Sequence, residues 1–312
     1  MLRFQPLGFI QQALATNLGV MAYYTHQGTD QGNSPDPSPD LPPDVSLPSV
    51  NRPALVFLHS LGGGSSAFEW SKVYAAFGTT HRVIAPDLIG WGQSTHPERT
   101  YQVDDYFYQI THLLESLTQP PTLVAATSLT AGVVIRLAGQ RPDLFKGLFL
   151  ISPSGNSDFG RDYRASLPAL LASTPGIDRL LYQLGAANEL AVRSFLSTFL
   201  FADPRRITPD IVQAYLACTQ QPNAEYAALA SLTGAISFDL ARYIDQLQTP
   251  TTVVLGAGSR FSAPAMVKRL ASLNPKAVEK VIEIPDSGVM PHLEHPAVVI
   301  DLLRQFLAAH AS

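Results

Sequence analysis

From residue 54 onward, short and almost wholly apolar runs alternate with helical patterns. This alternation limits the folds open to the chain more than any other feature. The runs ALVFLHS (54–60), HRVIAPD (81–87), TLVAATS (122–128) and GLFLISPSG (147–155) have the composition of strands buried on both faces. Between them lie SAFEWSKVYAAF, then VDDYFYQITHLLESL with a predicted cap near Asp104, and AGVVIRLAGQ, which is apolar nearly all round and therefore expected to be buried. Strand, helix and strand at this spacing predict βαβ units in a parallel sheet. Ahead of them, GFIQQALAT and VMAYYTHQ flank Asn17-Leu18-Gly19 and predict a hairpin over 9–27.

Two interruptions organise the rest. Residues 28–53 are rich in proline, serine and aspartate and hold few large apolar side chains, so they are expected to form a mobile surface loop. After Gly155 the alternation stops, and residues 156–248 carry helical patterns only. It resumes with TTVVLGA (251–257), APAMVKRLASL, VEKVIEIPD and PAVVIDLLRQFLAAH. The expected division is a core of 1–155 and 249–312, with 156–248 as a helical cap over the C-terminal edge of the strands. Parallel sheets bind ligands at that edge.

Several function classes are excluded by composition. A net charge of −4 without a basic cluster argues against a nucleic-acid partner. Cys218 is the one cysteine, so no internal disulfide can form, and a reducing, cytoplasmic setting is expected. No stretch approaches the ~20 apolar residues of a transmembrane helix. The N-terminus is a poor signal peptide, because Gln11, Gln12 and Asn17 interrupt its apolar run. No cofactor motif occurs. The His292-Leu293-Glu294-His295 cluster lacks an evident third metal ligand, so no metal is expected.

Three polar stretches sit where the predicted strands end: HSLGGGSS (59–66), PDLIGWGQS (86–94) and AATSLTAG (125–132). With the closing PDSG…P…EHP, their order and spacing resemble the α/β-hydrolase family over essentially the whole chain from residue 9. The finer detail looks like a cyanobacterial or plastid branch. The resemblance implies an oxyanion loop at His59-Ser60-Leu61-Gly62-Gly63 and a nucleophile elbow at Ala126-Thr127-Ser128-Leu129-Thr130. Ser128 would be the nucleophile, with His59, Ser60, Leu61 and Leu129 around the oxyanion site and pocket. An elbow needs small flanking residues because the backbone turns sharply from strand to helix. Ala126 meets that need, whereas the β-branched Thr130 is expected to displace the serine slightly.

The resemblance also exposes two departures. The family's acid follows the TTVVLG strand, where Ser259 stands, and its histidine follows Gly288, where Val289 stands. His292 is a candidate displaced base. His295, just before Pro296, suits a helix start. Asp158, after ISPSG, could supply an acid but reads more simply as a solvated linker residue. Asp87 reads as a loop brace, and Trp70 and Trp91 as packing residues. Two functions stay open. One is a degenerate hydrolase fold retained to bind a small apolar ligand or a protein partner, as gibberellin receptors retain the fold without the catalytic histidine. The other is an esterase- or lipase-like hydrolase using Ser128 with His292. They differ in whether an imidazole nitrogen reaches Ser128 Oγ.

Overall fold

The protein is described by a computed structural model covering residues 4–27, 52–160, 188–260 and 262–310. The predicted 28–53 loop lies almost wholly outside the described residues, as does the LPALLAS helix expected within 156–248.

Eight strands form one sheet: β1 (Phe9–Thr16), β2 (Gly19–His26), β3 (Ala54–Leu58), β4 (Arg82–Pro86), β5 (Thr122–Thr127), β6 (Phe145–Ile151), β7 (Thr251–Gly256) and β8 (Val278–Ile284). Their order is β1-β2-β4-β3-β5-β6-β7-β8. The β1–β2 hairpin joins β4 antiparallel, and every pairing from β4 to β8 is parallel.

The apolar runs work because a strand's side chains alternate between faces. Leu55 and Phe57 of β3, Leu123 and Ala125 of β5, and Phe149 and Ile151 of β6 enter one hydrophobic cluster. Val56 and Leu58, Val124 and Ala126, and Leu148 and Leu150 enter the other. Helices cover both faces. On the first lie α1 (Ser71–Tyr74), through Val73 and Tyr74, and the last helix, through Val299, Leu303 and Phe306. On the second lie α2 (Val103–Leu117) and α3 (Ser128–Gln140). Each large side chain buried this way contributes about 1.5–3 kcal/mol. The central strands therefore have both faces covered, and the edges at their strand ends are what remain for function.

Two local predictions needed revision. The helix expected at 66–77 is a chain of short turns: 3-10 at Ala67–Trp70, α1, then 3-10 at Ala75–Phe77. The cap of α2 is Gln102, in a reciprocal capping box with Asp105, not Asp104. Asp105 Oδ2 accepts the Gln102 N–H at 2.8 Å. A side chain at the third helical position can reach back to the cap residue, and one at the second cannot.

Between β6 and β7 the described part of the insertion holds α4 (Glu189–Phe195), a π-turn (Leu196–Leu200), α5 (Pro209–Thr219) and α6 (Ala224–Leu232). After β7 come α7 (Pro264–Ala271), α8 (Pro291–Glu294) and α9 (Pro296–Ala309). No helix among the described residues is long and apolar enough to cross a membrane.

Candidate functional site

β5 runs into α3 without a loop. Thr127 is the last strand residue and Ser128 the first helical one. The chain reverses there through Ser128, whose φ of 55° lies in the left-handed region. Such a conformation costs a non-glycine residue about 1–3 kcal/mol and persists only where the surroundings enforce it. Two contacts enforce it here. Gly132 packs so tightly that a Cβ would lie 2.3 Å from the Ser154 carbonyl oxygen. Thr130 is fully buried and donates its hydroxyl to the His59 carbonyl at 2.6 Å. The Thr130 hydroxyl ties the elbow to the loop after β3, a bond glycine could not make.

That loop is fixed from beneath. His59 is fully buried; its Nε2 accepts the Leu88 N–H at 2.9 Å and its Nδ1 donates to the Ser60 carbonyl at 2.5 Å. One nitrogen accepts and the other donates, so the ring is neutral, and burial pushes its pKa down to about 4. Ser60 gives its N–H to Glu69 at 2.7 Å and its hydroxyl to the same carboxyl at 2.9 Å. Tyr215, from α5, donates to Glu69 at 3.0 Å and so joins the loop to the insertion. Desolvation raises the Glu69 pKa. The Leu61 N–H has no hydrogen-bond partner among the described residues. The Leu129 N–H lies in the first turn of α3, where N–H groups lack intrahelical acceptors. Leu61 thus leaves one backbone donor free on the loop after β3, and Leu129 leaves one in the first turn of α3.

The loops after β7 and β8 touch each other. A Cβ on Gly256 would lie 2.0 Å from the Gly288 carbonyl oxygen, and Gly258 N donates to Ser287 O at 2.8 Å. This contact brings Ser259 and Val289 onto neighbouring loops. Ser259 is 8% exposed and its hydroxyl has no partner. Val289 is 1% exposed, packs in a cluster with Leu200, Ile211, Met290 and Leu293, and its N–H donates to the Leu200 carbonyl at 2.9 Å. Glu294 secures the same contact. It accepts the Gly288 N–H at 2.5 Å and the Ala202 N–H at 3.0 Å, and pairs with Arg206 at 3.2 Å.

His292 and Ser128 are not brought together. The His292 ring is fully buried and stacked on Trp70, with centroids 4.4 Å apart and planes at 25°. Neither ring nitrogen has a hydrogen-bond partner, and burial pushes its pKa down to about 3. His295 hydrogen-bonds the Asp286 carbonyl at 3.1 Å and caps α9. Asp158 is buried, not solvated: Ser154 Oγ at 2.7 Å and the Gly155 and Leu240 N–H groups at 3.0 Å occupy its oxygens. Asp87 accepts the Ala67 N–H at 2.7 Å and the Gln93 N–H at 2.8 Å, and burial raises its pKa to about 6. Trp70 donates to the Leu58 carbonyl, and Trp91 donates to Tyr106.

No pattern in the sequence singles out Glu69, Tyr215 or Glu294 as residues of the site. Glu69 lies inside the segment expected to be a helix over 66–77. Its one sequence signal is a charge between Phe68 and Trp70, where a helix register would bury it.

The alpha/beta hydrolase family model matches residues 55–302. An uncharacterized protein of Mycobacterium tuberculosis is 36% identical over 118 residues, 37% of this chain and 34% of that one, so the match spans about a third of the relative's length. The 2-(acetamidomethylene)succinate hydrolase of Mesorhizobium japonicum is 23% identical over 82% of this chain and 88% of its own. The crystal structure of carboxylesterase CesB from Bacillus subtilis superposes with a TM-score of 0.71 at 17% identity, covering 98% of this chain and 94% of that one. At that identity the likeness speaks for the fold alone. With the family match running from β3 into the last helix, the chain belongs to the alpha/beta hydrolase family.

Proposed function

We propose that this protein uses the hydrolase scaffold to bind a small ligand with an apolar body, and that it does not hydrolyse esters. The observation that carries this reading is that no imidazole nitrogen among the described residues hydrogen-bonds to Ser128 Oγ. His59 has both nitrogens engaged elsewhere, and His292 lies flat on Trp70 with neither engaged. The position after Gly288 holds Val289, packed against the insertion, which acts here as the cap. A serine nucleophile needs a base to take its proton, and the base needs an orienting carboxylate. Loss of the histidine alone costs on the order of 10⁶ in turnover, about 8 kcal/mol of barrier. The residual ~10³–10⁴ over water, from donors and binding, does not make a useful enzyme. Degeneration at the acid position, Ser259, supports the same reading.

Fluorophosphonate labelling of the full chain tests it. The expected result is no labelling above that of Ser128→Ala. Stoichiometric labelling that disappears in Ser128→Ala overturns the reading in favour of an esterase, and further loss in His292→Ala would then identify the displaced base.

A further inference from the structure

The outermost strands of an open sheet each keep one row of backbone N–H and C=O groups unpaired, and such a row is a template for another strand. The outer strands here are β1 and β8, and they are built differently. β8 carries Glu279, Lys280 and Glu283, charges that deter a neighbour. β1, with the sequence FIQQALAT, has no charged residue, no proline and no glycine, and its Gln11, Ala13 and Ala15 are exposed.

The hairpin register fixes which groups of β1 face outward. In an antiparallel pair, alternate residues bond to the partner strand. The Gln27 N–H donates to the Gly8 carbonyl at 2.7 Å, so Gly8, Ile10, Gln12, Leu14 and Thr16 bond toward β2. Phe9, Gln11, Ala13 and Ala15 therefore turn their backbone groups away from the sheet. Two of those groups are already satisfied. The Phe9 N–H donates to the Pro6 carbonyl at 3.2 Å, and the Ala15 carbonyl accepts from His112 Nε2, on α2, at 2.9 Å. The Phe9 carbonyl, the Ala15 N–H and both groups of Gln11 and Ala13 have no partner among the described residues.

This remainder is complementary to itself. When a second β1 lies antiparallel with Gln12 opposite Gln12, the Gln11 N–H meets the Ala13 carbonyl and the Ala13 N–H meets the Gln11 carbonyl. The Ala15 N–H meets the Phe9 carbonyl, and two-fold symmetry makes each bond twice. The bond missing from this ladder would join the Phe9 N–H to the Ala15 carbonyl, the two groups already satisfied within each copy. Centring the pair on Gln11 or on Ala13 instead sets a satisfied group against an open one. The same register lays the half-buried Ile10 beside the half-buried Leu14 of the second copy and sets no like charges together.

We propose that this chain forms a two-fold dimer in which β1 pairs with β1 of a second copy and joins the two sheets into one. The proposal is independent of what the site at the strand ends binds.

Sedimentation velocity of the full chain over a concentration series tests it, and a concentration-dependent dimer is expected. Ala13→Pro removes an outward N–H without touching the ladder to β2 and should weaken the dimer at least about ten-fold. Gln12→Glu and Gln12→Lys each set like charges opposite one another and should weaken self-association. An equimolar mixture of the two should dimerise at least as tightly as the wild type. A chain that is monomeric at every concentration overturns the proposal and leaves the edge to a different protein. A dimer that folded Ala13→Pro leaves intact uses another surface and overturns it as well. So does a mixture no tighter than its components, since position 12 then does not face itself. Where Ala13→Pro loses the native melting transition, the two Gln12 variants decide.

Discussion

The β3–β5 side and the β7–β8 side lie at the same edge of the sheet and are built to different demands. On the β3–β5 side, a strained serine, a neutral histidine and a buried glutamate hold two backbone N–H groups open. Three polar side chains there are committed to geometry: Thr130 to His59, His59 to Leu88, Glu69 to Ser60. On the β7–β8 side, the two loops are in van der Waals contact, but their side chains serve packing. Val289 fills an apolar cluster and Glu294 clasps the insertion. A catalytic constellation needs both halves within hydrogen-bond reach, whereas a binding site needs only the donors. The loops after β7 and β8 can therefore become anchors without disturbing the elbow, because the elbow is enforced by Gly132, Thr130 and the oxyanion loop.

The sharpest way to break this comparison is to remove the clasp. Glu294→Ala leaves the Gly288 and Ala202 N–H groups unsatisfied and Arg206 unpaired. The expected loss is about 3 kcal/mol, seen as a fall in Tm of roughly 2–4 °C per kcal/mol. Glu294→Gln should lose less. A change below about 1 kcal/mol in the alanine variant would mean that the anchoring lies elsewhere.

Placing an acid at 259 and an imidazole at 289 asks whether the elbow side is competent. Ser259→Asp with Val289→His should raise hydrolysis of p-nitrophenyl acetate about 10–100-fold over the wild type, a barrier change of about 1.4–2.7 kcal/mol, and abolish it again with Ser128→Ala. Val289→His alone should gain less, since an unbraced imidazole takes wrong tautomers. The new ring enters an apolar contact with the insertion, so a native melting transition must accompany the assay. A folded double variant no faster than the wild type would show that the β3–β5 side has drifted as well.

A smaller effect concerns His292. Its folded-state pKa, about 3, lies below the ordinary value of 6.5. Below pH 6.5 the unfolded chain takes up a proton that the folded chain refuses, so this residue's contribution to stability falls as the pH drops from 6.5 toward 3. At pH 5 the loss is about 2 kcal/mol, one and a half pH units at 1.36 kcal/mol each. Asp87, raised to about 6, acts in the opposite sense between pH 6 and 3.8, so the comparison must be made between variants. His292→Phe keeps a ring on Trp70 and removes the titration. Its Tm should fall less than that of the wild type between pH 7.5 and 5. An equal fall would show that His292 is not held neutral.

The sequence determined the strand runs, the hairpin, the parallel core and the strand-to-helix junction at Ser128, because alternation and local turn chemistry are set by neighbours along the chain. It also marked 259 and 289 as positions without an acid or an imidazole. The cap of α2 lies two residues before Asp104, because Asp104 and Asp105 both suit a helix start and only the bond from the Gln102 N–H to the Asp105 carboxylate separates them. What Thr130 does was not legible, since its partner, His59, is 71 residues away in sequence and comes near only when β3 and β5 pair. The same holds for Glu69 with Tyr215, 146 residues apart, and for Glu294 with Ala202, 92 apart. Where the His292 ring lies was decided by the Trp70 ring it stacks on. The physical reason is common to all four. Hydrogen-bond reach is about 3 Å, and contacts on that scale between distant segments are fixed by how the layers pack, which no local pattern along the chain encodes.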